Sequence, residues 1–119
     1  MTSDRDNQID YIEIPTRDIV ASKAFFAELL GWQFEDYGAD YTSFEDGRLS
    51  GGFFTAETTA SVNTGSVLVV FYREDLEAAL TKVKSLGGAI TQDIFSFPGG
   101  RRFHFTSPSG NEFAIWSDQ

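Results

Sequence analysis

His104 and Glu112 stand eight residues apart near the C-terminal end of a chain that has no other histidine. An imidazole beside a carboxylate can hold a divalent ion or move a proton near neutral pH. Glu13, near the other end, could pair with Glu112 as acid and base, or serve with it in a metal site. Tyr11, Tyr72 and Trp116 could stack on a planar ligand, and Arg102 in the "PGGRR" stretch could meet a carboxylate or phosphate. Each residue also has a plainer use. Strand carboxylates and histidines pair with neighbours or face solvent, and exposed strand aromatics form subunit interfaces.

The chain that must position these groups has 119 residues, enough for one domain, and 41% hydrophobic residues with twelve Phe supply a core. The net charge of −9, with only nine Lys and Arg in total, argues against nucleic acid and against an anionic membrane surface. The chain has no cysteine, which excludes disulfides and thiolate sites. The apolar run "VLVVFY" (Val67–Tyr72) is too short to span a bilayer. The acidic N-terminus lacks the apolar stretch of a signal peptide, so the cytoplasm is the expected location. The polar residues 1–8 are expected to fray, leaving residues 9–119 as a single domain.

"IDYIEI" alternates in its second part, with Ile12 and Ile14 on one face and Tyr11 and Glu13 on the other, and reads as a strand ended by Pro15. "TRDIVASKAFFAELLGW" reads as a helix with Asp18 at its positive end and Gly31 as its stop. Three short β-like runs follow, with a hairpin signal at Asp46-Gly47. The Thr/Ser/Ala-rich residues 56–65 are the candidate linker. The pattern then repeats: the strand "SVLVVFY", a helix led by Asp75 and closed by Gly87-Gly88, and three more strands through "NEFAIWS". Two β-α-β-β-β modules, about residues 9–55 and 66–117, predict an α+β fold in which neither half can bury its own sheet alone.

The segments "EIPTRDIVASKAFFAELLGW" and "FHFTSPSGNEFAIW", set in this doubled order, resemble the vicinal oxygen chelate superfamily, also called the glyoxalase/bleomycin resistance/dioxygenase superfamily. In the second segment Ser107 and Ser109 stand where the family's turn carries aspartates. The resemblance implies two βαβββ modules forming a cupped mixed sheet, with helices on the convex face, ligand in the concave face, and two cups paired in a homodimer. It also implies one divalent metal held by four side chains, one on the first and one on the last strand of each module.

Carried onto this chain, those four positions are Tyr11, Gly51, Leu68 and Ala114. Only tyrosine could coordinate through its side chain, and it titrates near 10. No cofactor is therefore expected, though a divalent ion in a shifted site is left open. Strand parity turns Tyr11, Glu13, Leu68, Val70, Tyr72, Arg102, His104, Glu112, Ala114 and Trp116 toward the cup. It turns Ile12, Ile14, Val67, Val69, Phe71, Phe103, Phe105, Phe113 and Ile115 toward the helices. The expected ligand-binding set is Tyr11, Glu13, Tyr72, Arg102, His104, Glu112 and Trp116, an aromatic-walled pocket with a few polar points. The catalytic candidates are Glu13, His104 and Glu112. Three functions stay open: a metal-independent small-molecule binder like the family's resistance proteins, a divergent lactoylglutathione lyase-like or dioxygenase-like enzyme, and a non-catalytic structural or regulatory dimer.

Overall fold

The computed structural model describes residues 3–119. Met1 and Thr2, the start of the segment expected to fray, lie outside the described residues. Ser3–Gln8 form exposed turns held by short-range hydrogen bonds such as Asp6 N–H to the Ser3 carbonyl, 3.1 Å.

The first module runs β1 (Tyr11–Thr16), α1 (Ile19–Leu30), β2 (Gln33–Asp36), β3 (Tyr41–Glu45) and β4 (Ser50–Thr55). The second runs β5 (Val69–Tyr72), α2 (Leu76–Ser85), β6 (Ala89–Phe97), β7 (Gly100–Thr106) and β8 (Glu112–Ser117). Each module makes a four-stranded mixed sheet in the same order, β1-β4-β3-β2 and β5-β8-β7-β6, with the first strand parallel to the last. The doubled β-α-β-β-β pattern is thus the architecture itself.

Both helices begin on an aspartate whose carboxylate caps the first turn: Asp18 accepts from Ala21 N–H and Asp75 from Ala78 N–H, each at 3.0 Å. Gly31 closes α1 at φ +72°, a left-handed conformation that a side chain disfavours. Two boundaries depart from the sequence expectation. β1 continues through Pro15 to Thr16, because β1 is an edge strand and a residue without an N–H is tolerated there. β5 starts only at Val69, and Val67, expected on the core side, is 83% exposed.

One core serves both modules. Phe25, Phe26 and Leu29 of α1 and Leu76, Ala79 and Val83 of α2 are buried against Ile14, Phe44, Phe53, Phe103, Phe105, Phe113 and Ile115. Phe26 is the bridge: its ring lies 5.0 Å from Trp32 and 5.6 Å from Phe53 in its own module, and 5.1 Å from Phe113 and 6.2 Å from Phe71 in the other. Burying one such ring completely stabilises by roughly 1.5–3 kcal/mol. The alternation read from the sequence holds for Ile14, Phe103, Phe105, Phe113 and Ile115, all buried.

The "SPSGN" turn fastens the modules together. Ser109 Oγ meets Thr16 Oγ1 at 3.0 Å and Ser22 Oγ at 3.3 Å, and Arg17 donates to the Ser109 carbonyl at 3.1 Å. Asn111 is fully buried; its Nδ2 donates to the Pro15 carbonyl at 2.6 Å and its Oδ1 accepts Ala60 N–H at 2.8 Å. The candidate linker is therefore docked. Ala56 N–H bonds the Thr16 carbonyl, Glu112 N–H bonds the Ala60 carbonyl, and Val62–Thr64 form a short 3-10 turn. No helix among the described residues is long and apolar enough to cross a membrane.

Candidate functional site

The side chains singled out in the sequence lie on strand faces turned away from the helices, but they form three groups rather than one cluster. On the first sheet, Tyr11 and Glu13 of β1 meet Tyr41 of β3. The two tyrosine hydroxyls are 2.5 Å apart, and Tyr41 donates to Glu13 Oε2 at 2.9 Å. β4 lies between these strands, and the contact closes over Gly52, where a Cβ would sit 2.1 Å from the Tyr41 hydroxyl. Burial, then the bonds to Tyr11 and Glu13, push the Tyr41 phenol well above its ordinary value.

On the second sheet, His104 of β7 is 7% exposed, and its Nδ1 lies 3.1 Å from Glu112 Oε2 on β8. The other Glu112 oxygen accepts Val62 N–H from the linker at 2.9 Å. That backbone bond first, and His104 second, hold the Glu112 carboxyl below the usual carboxylate range. An ionised carboxylate only accepts, so Nδ1 of His104 carries the proton.

Further along the same face, Arg102 pairs across the ladder with Trp116, and Tyr72 pairs with Trp116 on its other side. The Tyr72 and Trp116 rings meet edge to face at 5.2 Å. The Arg102 guanidinium stacks over Phe95 at 5.3 Å and Phe97 at 5.7 Å, and Phe97 lies 6.3 Å from Trp116. Tyr72 donates to Asp118 at 2.6 Å, which raises its phenol above the ordinary value.

Three cavities border these groups. One of about 560 Å³ is lined by Leu30, Trp32, Arg48, Val70, Tyr72 and Trp116. A second, about 400 Å³, is lined by Val62, Thr91, Gln92, His104 and Glu112. A third, about 420 Å³, opens between β1, the linker and β5, and has both Glu13 and Glu112 on its wall. Glu13 and Glu112 thus border one space, while Tyr11 and Tyr72 belong to different sheets.

Sequence reading missed Tyr41, Phe95, Phe97 and Val62. Tyr41 was within reach: it alternates with Thr42 and Phe44, which are buried, and so falls on the open face. Phe95 and Phe97 were not, because β6 shifts register against β7 between Ile90 and Gln92 and again between Gln92 and Phe95.

The residues at the metal positions do not fit a divalent ion. Tyr11 is bonded to Tyr41, Leu68 precedes β5, and Ala114 is fully buried beside His104 in the ladder. Gly51 was one residue out of phase. A Cβ there would strike the Phe44 ring at 2.3 Å, on the core side, so the open-face position of β4 is Gly52, which has no side chain either. Among the described residues, no group of three or more His, Asp or Glu is placed to hold a metal ion.

Known proteins share this arrangement. Solved structures that superpose on it include a glyoxalase/bleomycin resistance protein/dioxygenase family enzyme from Burkholderia phytofirmans PsJN, at 19% identity and TM-score 0.79 over 93% of this chain and 100% of that one. A lactoylglutathione lyase from Agrobacterium tumefaciens superposes at 18% identity and TM-score 0.70, over 93% of each chain. A fosfomycin resistance protein from Mesorhizobium loti does so at 14% identity and TM-score 0.75, over 93% and 92%. No curated protein matches the sequence significantly. The family sequence model for the Glyoxalase/Bleomycin resistance protein/Dioxygenase superfamily matches residues 8–115, and the chain belongs to that superfamily.

Proposed function

We propose that this chain binds a small organic molecule against the Tyr72–Trp116–Phe97 wall of the second sheet, without the metal of its superfamily. The observation that carries this reading is the half-open aromatic wall itself: Trp116 sits between Tyr72 and Phe97, beside a cavity of about 560 Å³, with Arg102 and His104 on the same face. Ligand sites pair apolar walls with a few placed polar groups in this way. The unsuitable residues at the metal positions support the metal-independent part. Two copies pair in a homodimer in this reading, which the exposed Phe54 of β4 and Tyr37, just after β2, favour.

A thermal-shift screen of small aromatic compounds tests the reading, since a ligand that binds only the folded state raises Tm. Hits that quench tryptophan fluorescence, and quench it less in W116F, where only Trp32 remains, are the expected result. A screen without hits would instead leave a structural or regulatory dimer, whose assembly light scattering measures.

The His104–Glu112 pair favours a second reading, a divergent lyase-like or dioxygenase-like enzyme, because a carboxylate-oriented imidazole is a general-base arrangement. Metal analysis separates the two: stoichiometric Mn, Fe, Ni or Zn, lost in H104A, would favour the enzyme.

A further inference from the structure

Arg102 Nε and His104 Nε2 are two of three buried side-chain polar atoms that have no hydrogen-bond partner among the described residues; the third, Ser107 Oγ, lies in the turn after β7. A buried polar atom left unpaired costs about 1–3 kcal/mol. Two such atoms, two residues apart on one strand, share a face. The Phe95 ring covers both, 5.3 Å from the guanidinium carbon and 6.0 Å from the imidazole.

The neighbouring strand is irregular at this place. Ile90 pairs with Phe105, Gln92 with His104 and Phe95 with Arg102, so β6 spends five steps where β7 spends three. Bulges of this kind re-aim side chains and gather beside binding sites. Here they place the Phe95 ring beside two side chains whose buried atoms lack partners.

The chemistry of the two atoms differs. The guanidinium only donates. His104 donates its Nδ1–H to Glu112, so in the neutral imidazole Nε2 is a bare acceptor. The other groups around the imidazole are uncharged: Val62 of the linker and Thr91 and Gln92 of β6. A matching ligand brings an anionic acceptor to Arg102, a donor to His104 and a flat apolar body to Trp116.

Resting on the binding reading above, we propose that the ligand is an aryl hydroxy carboxylate, whose carboxylate accepts the Arg102 Nε–H and whose hydroxyl donates to His104 Nε2. Phe95 swings aside to admit it, and the two unpaired atoms gain partners together.

The test compares three probes by tryptophan quenching: phenyllactate, phenylpropionate, which lacks the hydroxyl, and the methyl ester of phenyllactate, which lacks the charge. Phenyllactate is expected to bind tightest, with each of the others weaker by about tenfold. R102Q should abolish the preference for carboxylate over ester, and H104F the preference for the hydroxyl, with melting curves confirming that both fold. Should H104F not fold, E112Q replaces it: its amide can donate to Nδ1 and move the proton to Nε2, which imidazole nitrogen shifts record and which also removes the hydroxyl preference. Equal binding of the three probes, preferences that survive the substitutions, or hits in the aromatic screen with none among these probes would overturn the hydroxy-acid assignment and leave the aromatic wall standing. A screen with no hits at all would overturn both.

Discussion

Tyr41 reaches Glu13 across an intervening strand because Gly52, on that strand, has no side chain. The hydroxyl lies in the space a Cβ would need, and the Tyr11 hydroxyl closes the same space from the other side. The substitution G52A should therefore destabilise the fold by about 1–3 kcal/mol through overpacking. Removing the ring as well, in G52A/Y41A, should recover part of that loss. Urea denaturation of the two single variants and the double variant measures the coupling directly, and simple additivity would contradict the contact.

Glu112 makes stability depend on pH in a defined direction. Its folded-state carboxyl titrates below the ordinary value, so the stability it confers is present above the unfolded carboxylate range and is lost as pH falls through the folded value. E112Q should lower stability by about 2 kcal/mol at neutral pH, and the gap to the parent should close on acidification below about pH 4. Thermal melts across that range follow the gap.

Asn111 joins three segments through one amide, itself fully buried, which binds both the Pro15 carbonyl and the Ala60 N–H. N111A should cost about 3 kcal/mol, among the larger single-residue losses. Hydrogen exchange should also speed up selectively in residues 56–65, because the linker loses the side-chain acceptor of its Ala60 N–H.

Phe26 should be the costliest core position to empty. F26A removes the ring that touches both sheets and is expected to lose about 4 kcal/mol. Unfolding should remain a single transition with an unchanged denaturant slope, since the two modules share one core.

Much of this was legible from the residue pattern. Alternation in β1, β7 and β8 and the paired Asp-led helices give the doubled module directly, because their buried residues are large and apolar. β4 is legible as a strand, but its phase is not: two adjacent glycines carry no polarity, and the open-face position is Gly52 rather than Gly51. β6 is legible as a strand over residues 89–97, but the facing of its side chains is not, since alternation breaks at its register shifts. The docking of the linker left no composition signal, because its partners are backbone groups met by Asn111 and Glu112 from far along the chain.

The clasp at the "SPSGN" turn is one-sided. Its hydroxyl socket, Thr16 and Ser22, lies around the start of α1. Counted from the capping aspartates, the corresponding positions beside α2 are Arg73 and Ala79, and Arg73 instead spends its guanidinium on the Leu29 carbonyl. The halves share a plan but have become plug and socket. A chain built from two copies of the second half would carry two plugs and nothing to receive them, so the repeat has lost the interchangeability from which a doubled fold begins.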